Sequence, residues 1–479
     1  MNNLQKNIRN VMIVFLLLFL GLVSYISYNT LFNSDKAVNS VYNKRIEAEK
    51  NKVLRGTIYD RDMNALAAST RTEGTTQVRQ YLGSAAFAHV IGYHDAVYGA
   101  SGIEKKFDKE LAGDTVANNI TNTIKMILSQ GKDAKQELKG SNIVTTLDSK
   151  LQKKAYDILG SRNGSIVALN PKTGEVLAMV SKPSFDPNTL QDDWDSLSQS
   201  QDTPFLNRAV SGLYPPGSTF KVVTAVSALE NISAVGSRIF TDNGRINFND
   251  SESLENYKGY ANGDVNLRTA FVKSSNVVFG TLAMELGNDK LKKTAEKFLF
   301  NGNIPSRTLT IDNSIFPTYG SEEVGNIAQS GIGQSGVLAT PLEMALVASA
   351  MANDGKMMEP NIVSKITDSD GKTIKEFQPQ TAATVTTPEI ASLVKEYMKG
   401  VINEGTGTKA KMWSVQVAGK TGTADHDDGD KIPHTWFVGF AGYDNPEIAV
   451  AIIAEGGGND NYNGAAMAKD LLSTYFGNN

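Results

Sequence analysis

Ser218 and Lys221 are three residues apart, directly after the bend that Pro215, Pro216 and Gly217 predict. An apolar run from Phe220 to Leu229 follows and favours a buried helix, whose first turn would place both side chains on one face. Burial disfavours a charged lysine, and a neutral amine can take the proton of a nearby hydroxyl. Helix N-terminal N–H groups would face the developing negative charge. The alternative is that Ser218 caps the helix and Lys221 extends to water.

A second polar cluster, Lys273-Ser274-Ser275-Asn276, interrupts the otherwise apolar and helical stretch of residues 267–286. Ser274 and Asn276 are separated by one residue in this apolar setting, so both side chains need hydrogen-bond partners. They are either part of a site or ordinary helix-end residues that bond to the local backbone.

A third cluster, Lys420-Thr421-Gly422-Thr423, follows a strand-like segment. A phosphate-binding loop is excluded because Ser414 stands where that motif needs a glycine. On an edge strand, this cluster offers a cation, two hydroxyl groups and open backbone groups. It could therefore bind an extended peptide and its terminal carboxylate.

The bulk composition narrows the class of protein. With 479 residues the chain should form two or three units, and a net charge of −4 gives no indication of nucleic-acid binding. The absence of cysteine excludes disulfides, thiolate metal sites and a cysteine nucleophile. The acidic segment 425–430 does not fit a calcium loop, because Gly429 stands where a ligand should be, so we expect neither a metal nor a cofactor.

Residues 11–26 form a predominantly apolar run, which together with Ser27 and Tyr28 is long enough to span a bilayer. Lys6 and Arg9 precede it, so the positive-inside rule places the N-terminus in the cytoplasm and the remainder outside. A cleaved signal peptide is the alternative. Residues 24–27 make a poor cleavage site, which favours an uncleaved anchor.

The remaining pattern predicts an α+β protein in three parts: a cytoplasmic tail and transmembrane helix (1–28), a stalk and small pedestal (29–142) and a large C-terminal domain (143–479). In the last part, strands at 164–170, 175–180, 436–441 and 448–455 flank a helical middle. Strands, then helices, then strands indicate an antiparallel sheet with helices packed on it.

Ser-x-x-Lys, Ser-x-Asn and Lys-Thr-Gly, in this chain order, resemble the signature of penicillin-binding proteins and serine β-lactamases. The segments around these motifs, together with Arg55-Gly56 and Gly102-Ile103-Glu104, are similar to class B penicillin-binding proteins over nearly the whole chain. The resemblance implies a serine β-lactamase-like transpeptidase domain on a pedestal that is shorter than in many members. The chain has no room for a glycosyltransferase domain of the class A type.

The resemblance also implies a role for each motif residue. Ser218 would be the nucleophile, Lys221 its base, Ser274 the proton shuttle and Lys420 its electrostatic support. Asn276 would hold the substrate amide, and Thr421-Gly422-Thr423 would bind the carboxylate and supply an oxyanion donor.

The implied activity is cross-linking of peptidoglycan stem peptides by a D,D-transpeptidase that β-lactams inhibit. Its implied partner is a polytopic glycan polymerase of the shape, elongation and division type. A D,D-carboxypeptidase or β-lactamase, in which water is the acceptor, remains an alternative, as does a non-catalytic β-lactam sensor or scaffold. A sensor would need a cytoplasmic output domain or several membrane spans, and a scaffold would be expected to lose catalytic residues.

Overall fold

The computed structural model describes residues 3–32, 53–72, 76–113, 138–249, 252–424, 432–458 and 461–477. The first described element is an apolar helix, α1 (Asn3–Phe32). Residues 6–25 of this helix have a mean hydropathy of 2.1, and none of them is buried against the protein. Within the described residues it is the one helix that is long and apolar enough to cross a membrane. The predicted acidic loop at 425–430 lies outside the described residues.

The predicted pedestal contains short strands and helices. In order they are β1 (Ile58–Tyr59), β2 (Ala65–Arg71), β3 (Gln77–Tyr81), α2 (Ala88–Ile91), β4 (His94–Asp95), β5 (Gly99–Ala100), α3 (Gly102–Lys106) and α4 (Asp108–Leu111).

The C-terminal part alternates between strands and longer helices. Its first half comprises β6 (Asn142–Thr145), α5 (Ser149–Leu159), β7 (Gly164–Leu169), β8 (Val176–Lys182), α6 (Leu190–Ser198), α7 (Arg208–Ser211), α8 (Lys221–Asn231), β9 (Ile239–Asp242), β10 (Arg245–Asn247), β11 (Ser253–Glu255), β12 (Gly263–Asn266), α9 (Leu267–Val272) and α10 (Asn276–Lys297). Its second half comprises α11 (Val324–Ser330), α12 (Pro341–Ala352), β13 (Lys356–Met358), β14 (Val363–Thr367), β15 (Thr373–Glu376), β16 (Thr381–Thr384), α13 (Pro388–Glu404), β17 (Val417–Ala424), β18 (His434–Ala441), β19 (Ile448–Ala454) and α14 (Gly464–Tyr475).

A five-stranded antiparallel sheet, in the order β17-β18-β19-β7-β8, forms the centre of the C-terminal part. Almost every residue in its strands is buried, because helices cover both faces: α12 packs on one, and α5 and α14 pack on the other. All twelve residues of α12 are buried, as expected for a helix that is apolar on nearly every side. The predicted antiparallel sheet with helices packed on it is confirmed.

A second sheet, in the order β15-β14-β6-β1-β2-β3, joins strands from the two parts of the chain. β1 runs parallel to β6, with Ile58 opposite Ile143, and β14 pairs with the other edge of β6. The pedestal is therefore joined to the C-terminal part by backbone hydrogen bonds, and the predicted limit at residues 142 and 143 stays a prediction.

A buried ion cluster holds the pedestal elements together. Glu104 on α3 is fully buried, and its carboxylate lies 2.7 Å from the Nε of Arg55 and 2.7 Å from the Nε of Arg79. Arg55 also contacts Asp108 on α4 at 2.7 Å. Because buried charges are tolerated only when they are paired, this cluster fixes how the short pedestal elements pack.

One predicted element is wrong in detail. Residues 267–286 were expected to form one helix, but the chain leaves the helix after Val272 and starts a new one at Asn276. Ser274 lies between α9 and α10 with a φ of +59°, a conformation that is uncommon for a residue with a side chain.

Candidate active site

The turn that carries Ser218 lies against the edge strand of the five-stranded sheet. Gly217 has a φ of +52°, and a Cβ atom there would lie 2.5 Å from the carbonyl oxygen of Thr423 on β17. The indole nitrogen of Trp436 on β18 donates to the carbonyl of Pro215 at 3.0 Å. The turn therefore packs closely against β17, and this close contact requires a glycine at position 217.

Ser218 belongs to a short 3₁₀ turn, Gly217–Phe220, and α8 begins at Lys221. The sequence placed Ser218 in the first helical turn, so its prediction was close but assigned the wrong type of helix. The predicted burial of the helix is confirmed, because Lys221 and the seven residues that follow it are buried.

Lys221 is fully buried and points its amine at the second motif. Its Nζ donates to the carbonyl oxygen of Ser274 at 2.8 Å and to the Oδ1 of Asn276 at 2.7 Å, and it lies 3.3 Å from the Oγ of Ser274. Burial, and next the positive charge of Lys420, hold the pKa of Lys221 well below its ordinary value. A lysine with such a pKa can be neutral and act as a base.

Lys420 reaches the same serine from the sheet. It is fully buried on β17, and its Nζ donates to the Oγ of Ser274 at 2.8 Å and to the carbonyl of Thr421 at 3.0 Å. Burial lowers the pKa of Lys420 to about 7. The hydroxyl of Ser274 therefore lies between two lysine amines whose pKa values are both lowered by burial.

The rest of the third motif forms the outer strand of the sheet. Thr423 is exposed, and Thr421 shares a hydrogen bond of 2.5 Å with the hydroxyl of Thr406. A Cβ atom on Gly422 would lie 3.0 Å from the carbonyl oxygen of Pro216, so the glycine permits close contact with the serine turn. β17 is an edge strand, which leaves its outer side for an added peptide strand.

The structure brings all the predicted site residues to one region, and it adds a buried residue that the sequence did not reveal. The carboxylate of Asp242, at the end of β9, accepts a hydrogen bond of 2.6 Å from Ser275, the residue between Ser274 and Asn276. Asp242 was missed because it precedes an Asn-Gly pair, which is typical of an ordinary turn.

Comparison with known proteins agrees with this geometry. The penicillin-binding protein transpeptidase domain matches residues 164–473, and the penicillin-binding protein A dimerisation domain matches residues 55–136. The peptidoglycan D,D-transpeptidase PbpA of Mycolicibacterium smegmatis is 33% identical over 95% of this chain and 94% of its own length. The peptidoglycan D,D-transpeptidase MrdA of Escherichia coli is 30% identical over 84% of this chain and 72% of its own length.

Solved structures of penicillin-binding proteins also superpose on this chain. Penicillin-binding protein A from Mycobacterium tuberculosis, as its imipenem acyl-enzyme complex, superposes with a TM-score of 0.81 at 30% identity, covering 89% of this chain and 100% of the solved one. Its ceftriaxone acyl-enzyme complex superposes with a TM-score of 0.82, again at 30% identity, covering 89% of this chain and 99% of the solved one. The chain belongs to the class B penicillin-binding proteins.

Proposed function

We propose that this chain is a peptidoglycan D,D-transpeptidase that forms its acyl-enzyme on Ser218. The observation that carries the proposal is the position of Ser274, whose hydroxyl lies within 3.3 Å of Lys221 and 2.8 Å of Lys420, next to the serine turn. The first motif thus supplies the serine and its base, the second supplies the shuttle and the third supplies Lys420, and the three motifs meet at Ser274. The named activity of its relatives supports the same reaction.

In the first half-reaction, neutral Lys221 takes the proton of Ser218, whose oxygen attacks the carbonyl carbon of the D-Ala–D-Ala bond. The backbone N–H groups of Ser218 and Thr423 stabilise the oxyanion, a contribution of about 3 kcal/mol for each such donor. Proton transfer through Ser274 to the leaving nitrogen releases D-Ala and leaves an ester on Ser218.

In the second half-reaction, an amine from a neighbouring stem peptide attacks the ester and loses a proton through the same groups. Asn276 holds the substrate amide, and the hydroxyls of Thr421 and Thr423 bind the terminal carboxylate. A β-lactam acylates Ser218 in the same way, but the ring-opened amine stays attached and cannot leave.

A fluorescent penicillin tests the nucleophile. After incubation with the purified chain, peptide mass spectrometry should find the label on Ser218, and Ser218→Ala should carry none. Ser237→Ala, at an exposed serine, is the matched control and should label like the parent. Label of unchanged yield on Ser218→Ala would contradict the assignment. Rapid loss of the penicilloyl group from the parent would favour a β-lactamase.

The proposed topology has a cytoplasmic N-terminus and an extracytoplasmic catalytic part. The support is the apolar helix at residues 6–25, which has Lys6 and Arg9 at its start. Because the chain has no cysteine, one introduced thiol reports on one position. A membrane-impermeant maleimide should label Ser237→Cys in intact spheroplasts and should label Asn3→Cys only after lysis. The reverse pattern would contradict this orientation.

We further propose that a polytopic glycan polymerase is the partner, and that residues 11–113 contact it. The support is that α1 and the pedestal are the parts nearest the membrane, and that cross-linking needs newly made glycan strands. Replacing residues 6–25 with an unrelated membrane helix should weaken co-purification with the polymerase. If the swapped chain co-purifies fully, the contact lies in the pedestal. If the catalytic part alone co-purifies equally well, the proposal fails.

A further inference from the structure

A buried polar network lies directly behind the Ser274–Asn276 turn. At its centre is the carboxylate of Asp242, which is fully buried at the end of β9. Within the described residues Asp242 forms no ion pair, and neutral donors satisfy it instead. They are the Oγ of Ser275 at 2.6 Å, the Nδ2 of Asn262 at 2.6 Å, the Nδ2 of Asn256 at 2.8 and 3.0 Å, and the backbone nitrogen of Gly244 at 2.9 Å.

Two of these donors also cap the helix that carries Asn276. The Oδ1 of Asn256 accepts from the backbone nitrogens of Asn276 at 2.7 Å and Val277 at 3.1 Å. The Oγ of Ser275 accepts from the backbone nitrogen of Val278 at 3.0 Å. The first three N–H groups of α10 are thus satisfied by side chains whose own protons are held by Asp242.

The carboxylate of Asp242 fixes the orientation of both capping side chains. An amide or hydroxyl group can turn either its donor or its acceptor toward a neighbour. Because a carboxylate only accepts, Asp242 fixes the NH₂ group of Asn256 and the O–H group of Ser275 toward itself. Their oxygen atoms must then face α10. A neutral amide at position 242 could not impose that choice on both groups.

The network matters for chemistry because the turn that it holds is strained. Ser274 has a φ of +59°, which costs on the order of 1–3 kcal/mol and persists only where surrounding contacts enforce it. The carbonyl and hydroxyl of Ser274 and the amide of Asn276 all accept bonds from catalytic lysines. A small rotation of this turn would therefore disturb both proton-transfer distances.

We propose that Asp242 is a positioning residue of the transpeptidase site, which acts through Ser275 and Asn256 to hold Ser274 and Asn276 in place for proton transfer. This proposal rests on the proposed function. Asp242 also has an electrostatic effect on the base, since its negative charge favours protonated Lys221, whereas the positive charge of Lys420 disfavours it. Removing that carboxylate should leave Lys221 neutral at a lower pH than in the parent.

The test measures acylation of the full chain by a fluorescent penicillin across pH, separating the acylation rate constant from the dissociation constant of the initial complex. Asp242→Asn should slow acylation about 10- to 100-fold, because displacement by about 1 Å at a reacting group has effects of this size. The dissociation constant should change less than the rate constant, because the network holds Asn276 but leaves the carboxylate binders on β17 unchanged. The acid limb of the rate profile should move to lower pH.

Two further variants test whether the effect passes through the proposed contact. Asn256→Asp alone places a second carboxylate beside Asp242 and should also slow acylation. In the double variant Asp242→Asn with Asn256→Asp, the new amide can donate to the new carboxylate, which still accepts from the N-terminus of α10. The double variant should therefore acylate faster than either single variant. A mere packing role predicts neither this recovery nor the moved acid limb.

The matched control is Asp264→Asn, which makes the same chemical change at an exposed position on β12, the strand paired with β9. It should acylate like the parent. Parent-like acylation by folded Asp242→Asn at every pH would overturn the positioning role. If Asp242→Asn does not fold, Ser275→Ala decides: acylation about tenfold slower in the folded variant supports the proposal, and an unchanged rate overturns it.

Failure of this proposal can be told apart from failure of the proposed function. An adduct of normal yield on Ser218→Ala would contradict the function itself. If Ser218→Ala forms no adduct while Asp242→Asn acylates like the parent, only the positioning role is lost.

Discussion

The Oγ of Ser274 lies 2.8 Å from the Nζ of Lys420, although the two residues are 146 positions apart in the chain. The same oxygen is 3.3 Å from the Nζ of Lys221, which comes from a third segment. Burial lowers the pKa of both lysines, so neither has to keep a full charge in this enclosed space. The contact thus links the helical region to the sheet through a group that can pass protons.

Lys221→Arg should keep the fold but slow acylation by about 10²- to 10⁴-fold, the usual contribution of a positioned base. Arginine keeps a positive charge at this place, yet it cannot become a neutral base because its pKa exceeds about 12. Stopped-flow acylation with a fluorescent penicillin measures the effect. Lys293→Arg, at an exposed lysine, is the control and should be unaffected. Near-normal acylation by Lys221→Arg would mean that another group takes the proton.

Lys420→Met should change how stability depends on pH. Burial lowers the pKa of Lys420 from 10.5 to about 7, so between these values the unfolded chain binds more protons than the folded one. The free energy of unfolding of the parent should therefore rise with pH in this window. Methionine does not titrate, so the stability of the variant relative to the parent should fall from pH 7 towards pH 10, by at most about 1.4 kcal/mol per pH unit.

Urea unfolding at pH 7, 8 and 9 measures this difference, and exposed Lys293→Met should show a much smaller trend. A constant difference between Lys420→Met and the parent would mean that the folded protein does not hold Lys420 at a depressed pKa.

The sequence predicted which residues meet at the candidate site, but it did not predict the local geometry that positions them. Lys221 could be placed inside because an almost continuous apolar run surrounds it. The bend at Ser274 could not be predicted, because the residues on both sides have helical apolar spacing and contacts from distant segments impose the positive φ. The contacts of Asp242 could not be predicted for a similar reason, because its partners Asn256 and Ser275 come close to it only in the folded chain.

Gly422→Ala should slow acylation by about tenfold or more with little loss of stability. A Cβ atom at this position would lie 3.0 Å from the carbonyl oxygen of Pro216, so the serine turn must shift away from β17. Gly302→Ala is the matched control, because the nearest atom there is 3.5 Å away and no strained φ is needed. An unchanged acylation rate for Gly422→Ala would show that the turn and the strand tolerate a wider separation.

Glu104→Gln should destabilise the pedestal by about 3–5 kcal/mol, since it leaves the buried guanidinium of Arg79 with a neutral partner and that of Arg55 with Asp108 as its remaining carboxylate. The carboxylate of Glu104 lies 2.7 Å from Arg55 and 2.7 Å from Arg79, and the positive charges of the two arginines lower its pKa despite burial. A carboxyl group of this kind stabilises the fold above its ordinary pKa of 4.5, and this contribution is lost as the pH falls through the lower folded value. The difference in the free energy of unfolding between parent and variant should therefore be largest at pH 7 and should become smaller at acid pH.

Thermal unfolding at pH 7 and below pH 4.5 measures that difference, with exposed Glu376→Gln on β15 as the control. The acylation rate of the folded Glu104→Gln fraction should match the parent, because the cluster lies in the pedestal and touches none of the site residues. A variant as stable as the parent at pH 7 would show that the cluster contributes little to the pedestal. Slow acylation in a fully folded variant would show instead that the pedestal influences the distant serine.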